Sequence, residues 1–482
     1  VLLAIDQGTT GTTCLVVDEE LQIVGRGYAE ISQRFPQPGW VEHDPEAIWE
    51  SVLATASAAL ADARIEPGSL TAVGIANQRE TTVVWERRSG RPVHPAIVWQ
   101  DRRTAERCTA LPRELIRERT GLLPDPYFSA TKLEWILART DAPRAELAFG
   151  TVDAWLAWKL TGGRHHITDV TNASRTLLLD LARGAWDEEL LALFAIDPAL
   201  LPTIVASAGV VGEASLLGAT VPLAGIAGDQ QASLFGHRCF APREAKATYG
   251  TGAFVLANVG EQPVTDADGL LGTAVATAPG ARPQFAVEGS VLVAGAAVQW
   301  LRDGLGVLDD AAESERLARQ VDSTDGVVFV PALTGLGSPH WDPTARGLIT
   351  GLTRGTTRAH LVRAALEAIA HQVADVVDVL PVHVDVLRVD GGATANALLM
   401  QLQADLLGCP VEVAADAETT GLGVAALAGL ATGVWSGLEE LRALARPGAR
   451  FEPAMAPDEV ARRRGEWRDG VRRATLPPDR PT

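Results

Sequence analysis

Two segments of this chain end an apolar run in glycine beside aspartate. They are Val1-Leu2-Leu3-Ala4-Ile5-Asp6-Gln7-Gly8-Thr9-Thr10-Gly11 and Leu223-Ala224-Gly225-Ile226-Ala227-Gly228-Asp229-Gln230-Gln231. An apolar run bounded by turn residues predicts a buried strand. A carboxylate at such a strand end, beside glycines that bare backbone N–H groups, is a place to hold phosphates through a divalent cation. Two such places predict two related lobes closing on one nucleotide. Gly8-Thr9-Thr10, Gly250-Thr251-Gly252 and Gly391-Gly392 all offer backbone donors without side-chain obstruction. Any one of them alone reads as a tight turn; three, with two strand-end aspartates, read as phosphate chemistry. The sequence has no GxxxxGK[ST] segment and neither an HRD nor a DFG triplet. ATP here would be held by something other than a P-loop or a protein-kinase cleft.

The elements that must position these turns alternate between strand and helix. Residues 1–5 and 14–17 read as a hairpin, and 21–28 as a third strand. Residues 45–62 read as a helix begun by Pro45 and Glu46, with Ile48, Val52, Leu53, Ala56 and Leu60 near one face. Strands follow at 71–75 and 82–85, and helices at 130–137 and 151–160. A second lobe is expected just after Gly236-His237, dividing the chain into 1–237 and 238–482. It opens on a hairpin over 245–256 and carries a long helix over 359–380, with Leu361, Ala365, Leu366, Ile369, Val373 and Val377 at helical spacing. A strand at 386–389 runs into Asp390-Gly391-Gly392 and a helix through Asn396, Leu399 and Gln403. The charged tail after Pro453 reads as a surface helix with frayed ends. The class is α/β.

Bulk composition narrows the partners. The chain has 482 residues, 47% hydrophobic and 21% charged, as in a globular protein of several domains. A net charge of −18 argues against nucleic acid or an anionic membrane, but not against ATP held by local dipoles and Mg²⁺. No uninterrupted apolar stretch is long enough to span a membrane, and no basic segment precedes the first strand, so a cytoplasmic setting is expected. The four cysteines, Cys14, Cys108, Cys239 and Cys409, are scattered without metal spacing and read as buried free thiols.

Longer motifs carry a resemblance. They are Asp6-Gln7-Gly8-Thr9-Thr10, Gly39-Trp40-Val41-Glu42-His43-Asp44-Pro45, Asn77-Gln78-Arg79-Glu80-Thr81-Thr82 and Trp99-Gln100-Asp101-Arg102-Arg103. Asp125-Pro126-Tyr127-Phe128-Ser129, Gly228-Asp229-Gln230-Gln231, Tyr249-Gly250-Thr251-Gly252, Gly335-Leu336-Gly337-Ser338-Pro339-His340-Trp341-Asp342-Pro343 and Asp390-Gly391-Gly392-Ala393-Thr394-Ala395-Asn396 follow in order. Over most of its length the chain resembles the FGGY carbohydrate kinases, and among them the members acting on glycerol. The resemblance implies an actin- or hexokinase-like ATPase fold: two ribonuclease-H-like lobes around a central cleft. It implies phosphorylation of glycerol to sn-glycerol 3-phosphate with ATP and Mg²⁺, and it is compatible with a homo-oligomer. A kinase for a longer polyol or sugar stays open, as does a non-catalytic actin-like nucleotide switch.

The same resemblance assigns Arg79, Glu80, Trp99, Tyr127, Phe254, Asp229 and Gln230 to the polyol site. It places Thr9, Thr10, Gly250, Thr251, Gly295, Gln299, Gly392 and Asn396 around ATP. Asp229 is the expected general base, and Asp6 and Asp229 the expected Mg²⁺ ligands. The chemistry is consistent. A small polyol needs a donor fork and an acceptor carboxylate, which Arg79 and Glu80 supply if a loop lets both converge. Aromatic rings can cover its carbon skeleton, and a base for phosphoryl transfer need only sit within reach of the attacking hydroxyl. Without the motifs, Arg79–Glu80 would read as a solvated surface pair, Trp99 and Phe254 as core, and Asp229 as a helix cap. Two departures stand out. Thr13 occupies the place of an arginine common in the glycerol-specific members, where it would meet the phosphates. The stretch 212–222, with Thr220, lacks both the arginine tied to inhibition by fructose 1,6-bisphosphate and a phosphorylatable histidine, so neither control is expected.

Overall fold

The computed structural model describes residues 1–475. Its frame is two open mixed sheets built on one plan. The six-stranded sheet runs, in spatial order, Ala208–Leu216, Ala219–Gly228, Ala72–Asn77, Leu2–Gln7, Gly11–Val17 and Ile23–Glu30. The seven-stranded sheet runs Leu271–Ala274, Phe285–Val291, Ala253–Gly260, Ala245–Tyr249, Leu387–Asp390, Val411–Val413 and Arg450–Phe451. In each, a hairpin supplies the first of three neighbouring parallel strands: Leu2–Gln7, Ala72–Asn77 and Ala219–Gly228 in one, Ala245–Tyr249, Leu387–Asp390 and Val411–Val413 in the other.

The two Gly/Asp turns that open the sequence argument do not divide one per lobe. Ala227 is in register with Ala76, and Ala76 with Asp6, so both turns end strands of the first sheet, one on each side of Ala72–Asn77. The second lobe's counterpart of the opening hairpin is Ala245–Tyr249 with Ala253–Gly260. Parallel strands need long crossovers, so a strand near residue 225 can lie two places away from residues 1–7, with Ala72–Asn77 between them.

Local physics explains the helices that brace these sheets. Pro45–Ala63 is capped by Asp44, whose carboxylate accepts from Glu46 N at 3.0 Å, and Pro45 takes the first turn, where no N–H is needed. Its buried stripe of Ile48, Val52, Ala56 and Leu60 lies on the first sheet. It comes so close that a Cβ on Gly27 would stand 2.1 Å from Thr55 O. Arg358–Asp378 packs its apolar face on the second sheet.

A split at residue 237 leaves Thr419–Thr432 in the second half of the chain, yet this helix packs on the first sheet, against Leu2, Ala4, Ala72 and Ala224. It also crosses the helix Asp229–Gly236, and a Cβ on Gly423 would meet Ala232 O at 1.9 Å. Two glycine-bearing helices thus cross between the sheets. The tail forms Pro457–Ala474, on the surface as expected but docked: Trp467 is buried and stacks on His371 at 5.2 Å, and Arg464 binds Asp375 at 2.7 Å. The far end of the tail, expected to fray, lies outside the described residues. All four cysteines are buried and free. Among the described residues no helix is long and apolar enough to cross a membrane.

Candidate active site

The carboxyl ends of the first sheet's parallel strands converge, as ligand-binding edges of α/β sheets do. Leu2–Gln7 delivers Asp6 and the turn Gly8-Thr9-Thr10, closed by Gly8 N to Gly11 O at 2.9 Å. Ala72–Asn77 runs into Gln78-Arg79-Glu80, and Gln78 Nε2 donates to Gln7 Oε1 at 3.1 Å and to Gly8 O at 3.2 Å. Glu80 sits in the left-handed region, φ 61°, with its carbonyl accepting from Ser129 and Thr82 hydroxyls. This kink lets adjacent Arg79 and Glu80 turn toward one point, where a regular strand would splay them. Backbone forced into that region is commonly found at functional sites.

Arg79 is a hub, not the solvated surface residue that its type alone would predict. Its side chain is 2% exposed. Both terminal nitrogens donate to Glu288, the Nη2 bond being 3.1 Å; Nη1 also reaches Gln231 Oε1 at 3.4 Å and Nη2 the Tyr127 hydroxyl at 3.3 Å. Its Nε faces Asp229 Oδ1 at 3.3 Å and Glu80 Oε1 at 3.8 Å. A second buried guanidinium, Arg175, donates from Nε to Glu80 Oε1 at 2.7 Å and from Nη2 to Glu288 Oε1 at 2.9 Å. Burial pushes the Glu80 carboxyl above its ordinary range, and the two arginines only partly offset this. Burial acts the same way on Glu288, but Arg175 and Arg79 outweigh it and hold that carboxyl down at about 2.

Asp229 opens the helix Asp229–Gly236 as its first helical residue; Gly228 holds the cap position. Its carboxylate accepts from Gln230 N at 2.7 Å and stays 29% exposed, so it is reachable from the cleft. Burial raises its pKa against the opposing charges of Arg79 and Lys246. Asp6 is raised further, first by burial and then by repulsion from Asp229 and Glu418. A buried carboxylate raised further by the charge of a second one nearby, as Asp6 is by Asp229, fits a hard divalent cation between them. No group of three His, Cys, Asp or Glu able to hold a metal occurs among the described residues. Asp6 and Asp229 are a donor set of the kind Mg²⁺ takes, one or two carboxylates with the remaining positions filled by substrate phosphates and water.

Aromatic side chains wall the same space. Trp99 and Tyr127 meet edge to face at 5.5 Å, and Trp99 Nε1 donates to Thr9 Oγ1 at 2.9 Å, tying the aromatic wall to the first phosphate turn. Phe254 is half-buried on Ala253–Gly260, in register with Thr248. Gln230 is met from the second sheet by Lys246, whose Nζ donates to Gln230 Oε1 and, at 2.8 Å, to Thr248 Oγ1.

The second lobe gathers the other turn residues. Gly250 and Thr251 are exposed at the tip of their hairpin, and the helix Gly295–Asp303 starts on that tip. Gly295 N donates to Gly250 O at 3.0 Å, and a Cβ on Gly295 would lie 2.6 Å from that oxygen. Gln299, one turn along the helix, is exposed on the same face. Gly391, at φ +94°, lets the next strand end pass Tyr249, where a Cβ would lie 2.4 Å from Tyr249 O, and this leaves Gly392 open. Asn396 is not one turn into its helix: it caps Ala397–Leu407, accepting from Leu399 N at 2.9 Å, and its Nδ2 reaches Ser314 Oγ at 3.3 Å. Thr13 lies directly opposite Asp6 in the opening hairpin. The stretch 212–222 is no loop but the hairpin of Ala208–Leu216 with Ala219–Gly228.

The motifs do not point to Arg175, Lys246 or Glu288. Their signal was present in another form. Lys246 lies in Ala245-Lys246-Ala247, and Glu288 in Phe285-Ala286-Val287-Glu288-Gly289: single charges inside otherwise apolar strands. Such charges are almost never fully buried unless paired.

Comparison with known proteins gives the family of this fold. Residues 1–236 match the N-terminal domain, and 245–432 the C-terminal domain, of the FGGY family of carbohydrate kinases. A glycerol kinase of Leptothrix cholodnii is 54% identical, with 98% of each chain covered. A glycerol kinase 2 of Thermotoga maritima is 50% identical, again with 98% of each covered. The crystal structure of Plasmodium falciparum glycerol kinase with ADP superposes with a TM-score of 0.93 at 36% identity, covering 99% of this chain and 98% of that one. A xylulose kinase from Rhodospirillum rubrum shares the fold, with a TM-score of 0.86, at 25% identity, covering 98% and 97%.

Proposed function

The chain belongs to the FGGY family of carbohydrate kinases, and on that premise we propose that it transfers the γ-phosphoryl group of ATP to a terminal hydroxyl of glycerol, giving sn-glycerol 3-phosphate and ADP. The observation that carries this reading is the meeting of Asp229, Arg79 and Glu80 at one sheet edge. It occurs in a chain 50–54% identical, from end to end, to glycerol kinases.

The acceptor lies against Trp99, Tyr127 and Phe254, with Gln230 and the open oxygen of Glu80 receiving its hydroxyls. Glu80 Oε1 is held by Arg175, whereas Oε2 has no protein hydrogen bond among the described residues and is free to accept. Arg79 spends its terminal N–H groups on Glu288, Gln231 and Tyr127, and its Nε faces the two acceptor-side carboxylates, so that it sets the spacing between Glu80 and Asp229. Asp229 takes the proton of the attacking hydroxyl as that oxygen bonds to the γ-phosphorus and the bond to the β-bridging oxygen breaks. Positioning and neutralisation carry most of such a reaction. Asp6 and Asp229 would hold Mg²⁺, which would supply neutralisation of the phosphate oxygens. Thr9, Thr10, Gly250, Thr251 and Gly295 line the phosphate path, and Gln299, Gly392 and Asn396 the far end of the nucleotide. Four buried free thiols support a cytoplasmic setting.

The test is ADP release against an acceptor panel of glycerol, xylulose and gluconate, with Mg²⁺ or EDTA. Turnover is expected with glycerol and Mg²⁺ and is lost in EDTA. A clear preference for xylulose or gluconate, or rapid turnover in EDTA, overturns the reading.

A further inference from the structure

Glu288 is carried by Phe285–Val291, a strand of the second sheet, paired with Leu256 on one side and Leu271 on the other. All its hydrogen-bonding partners noted above belong to the first lobe's acceptor region. It receives both terminal nitrogens of Arg79 and one of Arg175. Arg175 in turn holds Glu80 Oε1. Two carboxylates and two guanidiniums, none more than 2% exposed, thus form a closed ring that crosses from one lobe to the other. Arg175 Nη1 has no protein partner among the described residues, so Glu80 and Glu288 are the charges that offset the burial of Arg175.

We propose that Glu288 is a positioning residue for the acceptor: from the second lobe it locks the fork of Arg79 and, through Arg175, the carboxylate of Glu80, so that the polyol site is assembled by both lobes. Bidentate pairing fixes a guanidinium in plane as well as in place. With the Arg79 plane fixed, its Nε points between Glu80 and Asp229. With Glu80 Oε1 fixed by Arg175, Oε2 is left to meet a hydroxyl at a set distance from the base. A site that recognises hydroxyls by such placement loses affinity when the placement relaxes. The nucleotide turns at Gly250 and Gly391 make no contact with this ring through the bonds described, so ATP recognition should be little affected.

The proposal rests on the reading that the acceptor binds at Arg79, Glu80 and Asp229, and the experiment separates the two. In Glu288→Gln the charge is removed with the shape kept. Glycerol KM should rise roughly tenfold or more, ATP KM should stay within about twofold, and kcat should fall less than glycerol KM rises. A folded Glu288→Gln with unchanged glycerol KM, or with both KM values rising alike, overturns the proposal, because a merely structural role would loosen both substrates together or lower only the active fraction. If Glu288→Gln does not fold, Glu288→Asp decides. It keeps the charge and shortens its reach, and the same selective rise supports positioning while its absence refutes it. Glu80→Gln serves as the control. If Glu80→Gln raises glycerol KM and the Glu288 variants do not, the positioning role alone fails; if neither does, the acceptor site itself is misplaced and the proposal falls with it.

Discussion

The two sheets repeat one strand plan but use their strand-end carboxylates in opposite ways. In the first lobe Asp6 and Asp229 are left under-partnered: burial raises both, Asp229 raises Asp6 further, and Asp229 remains reachable from the cleft. In the second lobe Asp390 ends Leu387–Asp390 and is tied down. Its Oδ2 accepts from the Ser233 and Thr419 hydroxyls and lies 3.2 Å from His237 Nε2. Burial pushes this carboxyl up too, but His237 and Lys246 outweigh it and hold it well below the usual range. Ser233 and Thr419 come from the two helices that cross between the sheets. One carboxylate is a structural pin at that crossing, and the other pair, on the reading proposed above, serves the chemistry. Topology alone does not assign function; the number and charge of local partners does.

This contrast predicts stability effects of opposite sign. Asp390, depressed on folding, contributes stability that is fully present above the unfolded carboxylate pKa of about 3.9 and lost as pH falls through its folded value. Asp6 and Asp229, raised on folding, do the reverse: stability declines as pH rises from the unfolded value through their folded values. Asp390→Asn should therefore destabilise the protein at neutral pH by about 3 kcal/mol, the scale of a lost hydrogen bond to a charged group in a buried setting. Asp6→Asn, melted in EDTA at the same pH, should gain about 1 kcal/mol while losing activity, as relieving a functional site commonly does. Thermal melts giving the same sign for both variants would erase the distinction between the lobes.

A smaller effect is expected within the first lobe. Glu80→Gln should raise glycerol KM by about 2 kcal/mol of lost acceptor recognition, with ATP KM nearly unchanged, because buried polar groups meant for a hydroxyl are left unpaired. Equal changes in both KM values would mean that Glu80 is as structural as Asp390. The smallest effect concerns Thr13, which faces Asp6 across the opening hairpin. Restoring a cation with Thr13→Arg should lower ATP KM roughly fivefold, about 1 kcal/mol for a charge-assisted contact. A rise in ATP KM would show that Asp6 needs its charge unshared.

Much of the frame was legible in the sequence because it is local. Helical spacing located Pro45–Ala63 and Arg358–Asp378, and the Gly/Thr turns located both hairpins. Long-range pairing was not legible. Nothing near residue 225 states that Ala219–Gly228 joins the opening strand's sheet, and nothing near residue 420 states that Thr419–Thr432 crosses back to it. The motifs put forward residues for the cleft, and Arg175, Lys246 and Glu288 were not among them. The value of a lone charge in an apolar strand depends on a partner hundreds of positions away, which only the fold brings close. Asn396 shows a boundary limit: a residue placed inside a helix by its pattern turns out to cap it.

The central claim is that Asp229, at the under-partnered strand end, accepts the proton of the attacking hydroxyl. Asp229→Asn keeps its shape and removes its basicity. At saturating glycerol and MgATP its kcat should fall by roughly 10²–10⁴, while ADP binding to the same preparation stays within about twofold of the parent. A folded Asp229→Asn that turns over at near-parental kcat would contradict the claim and leave Asp229 as a residue of the helix start alone.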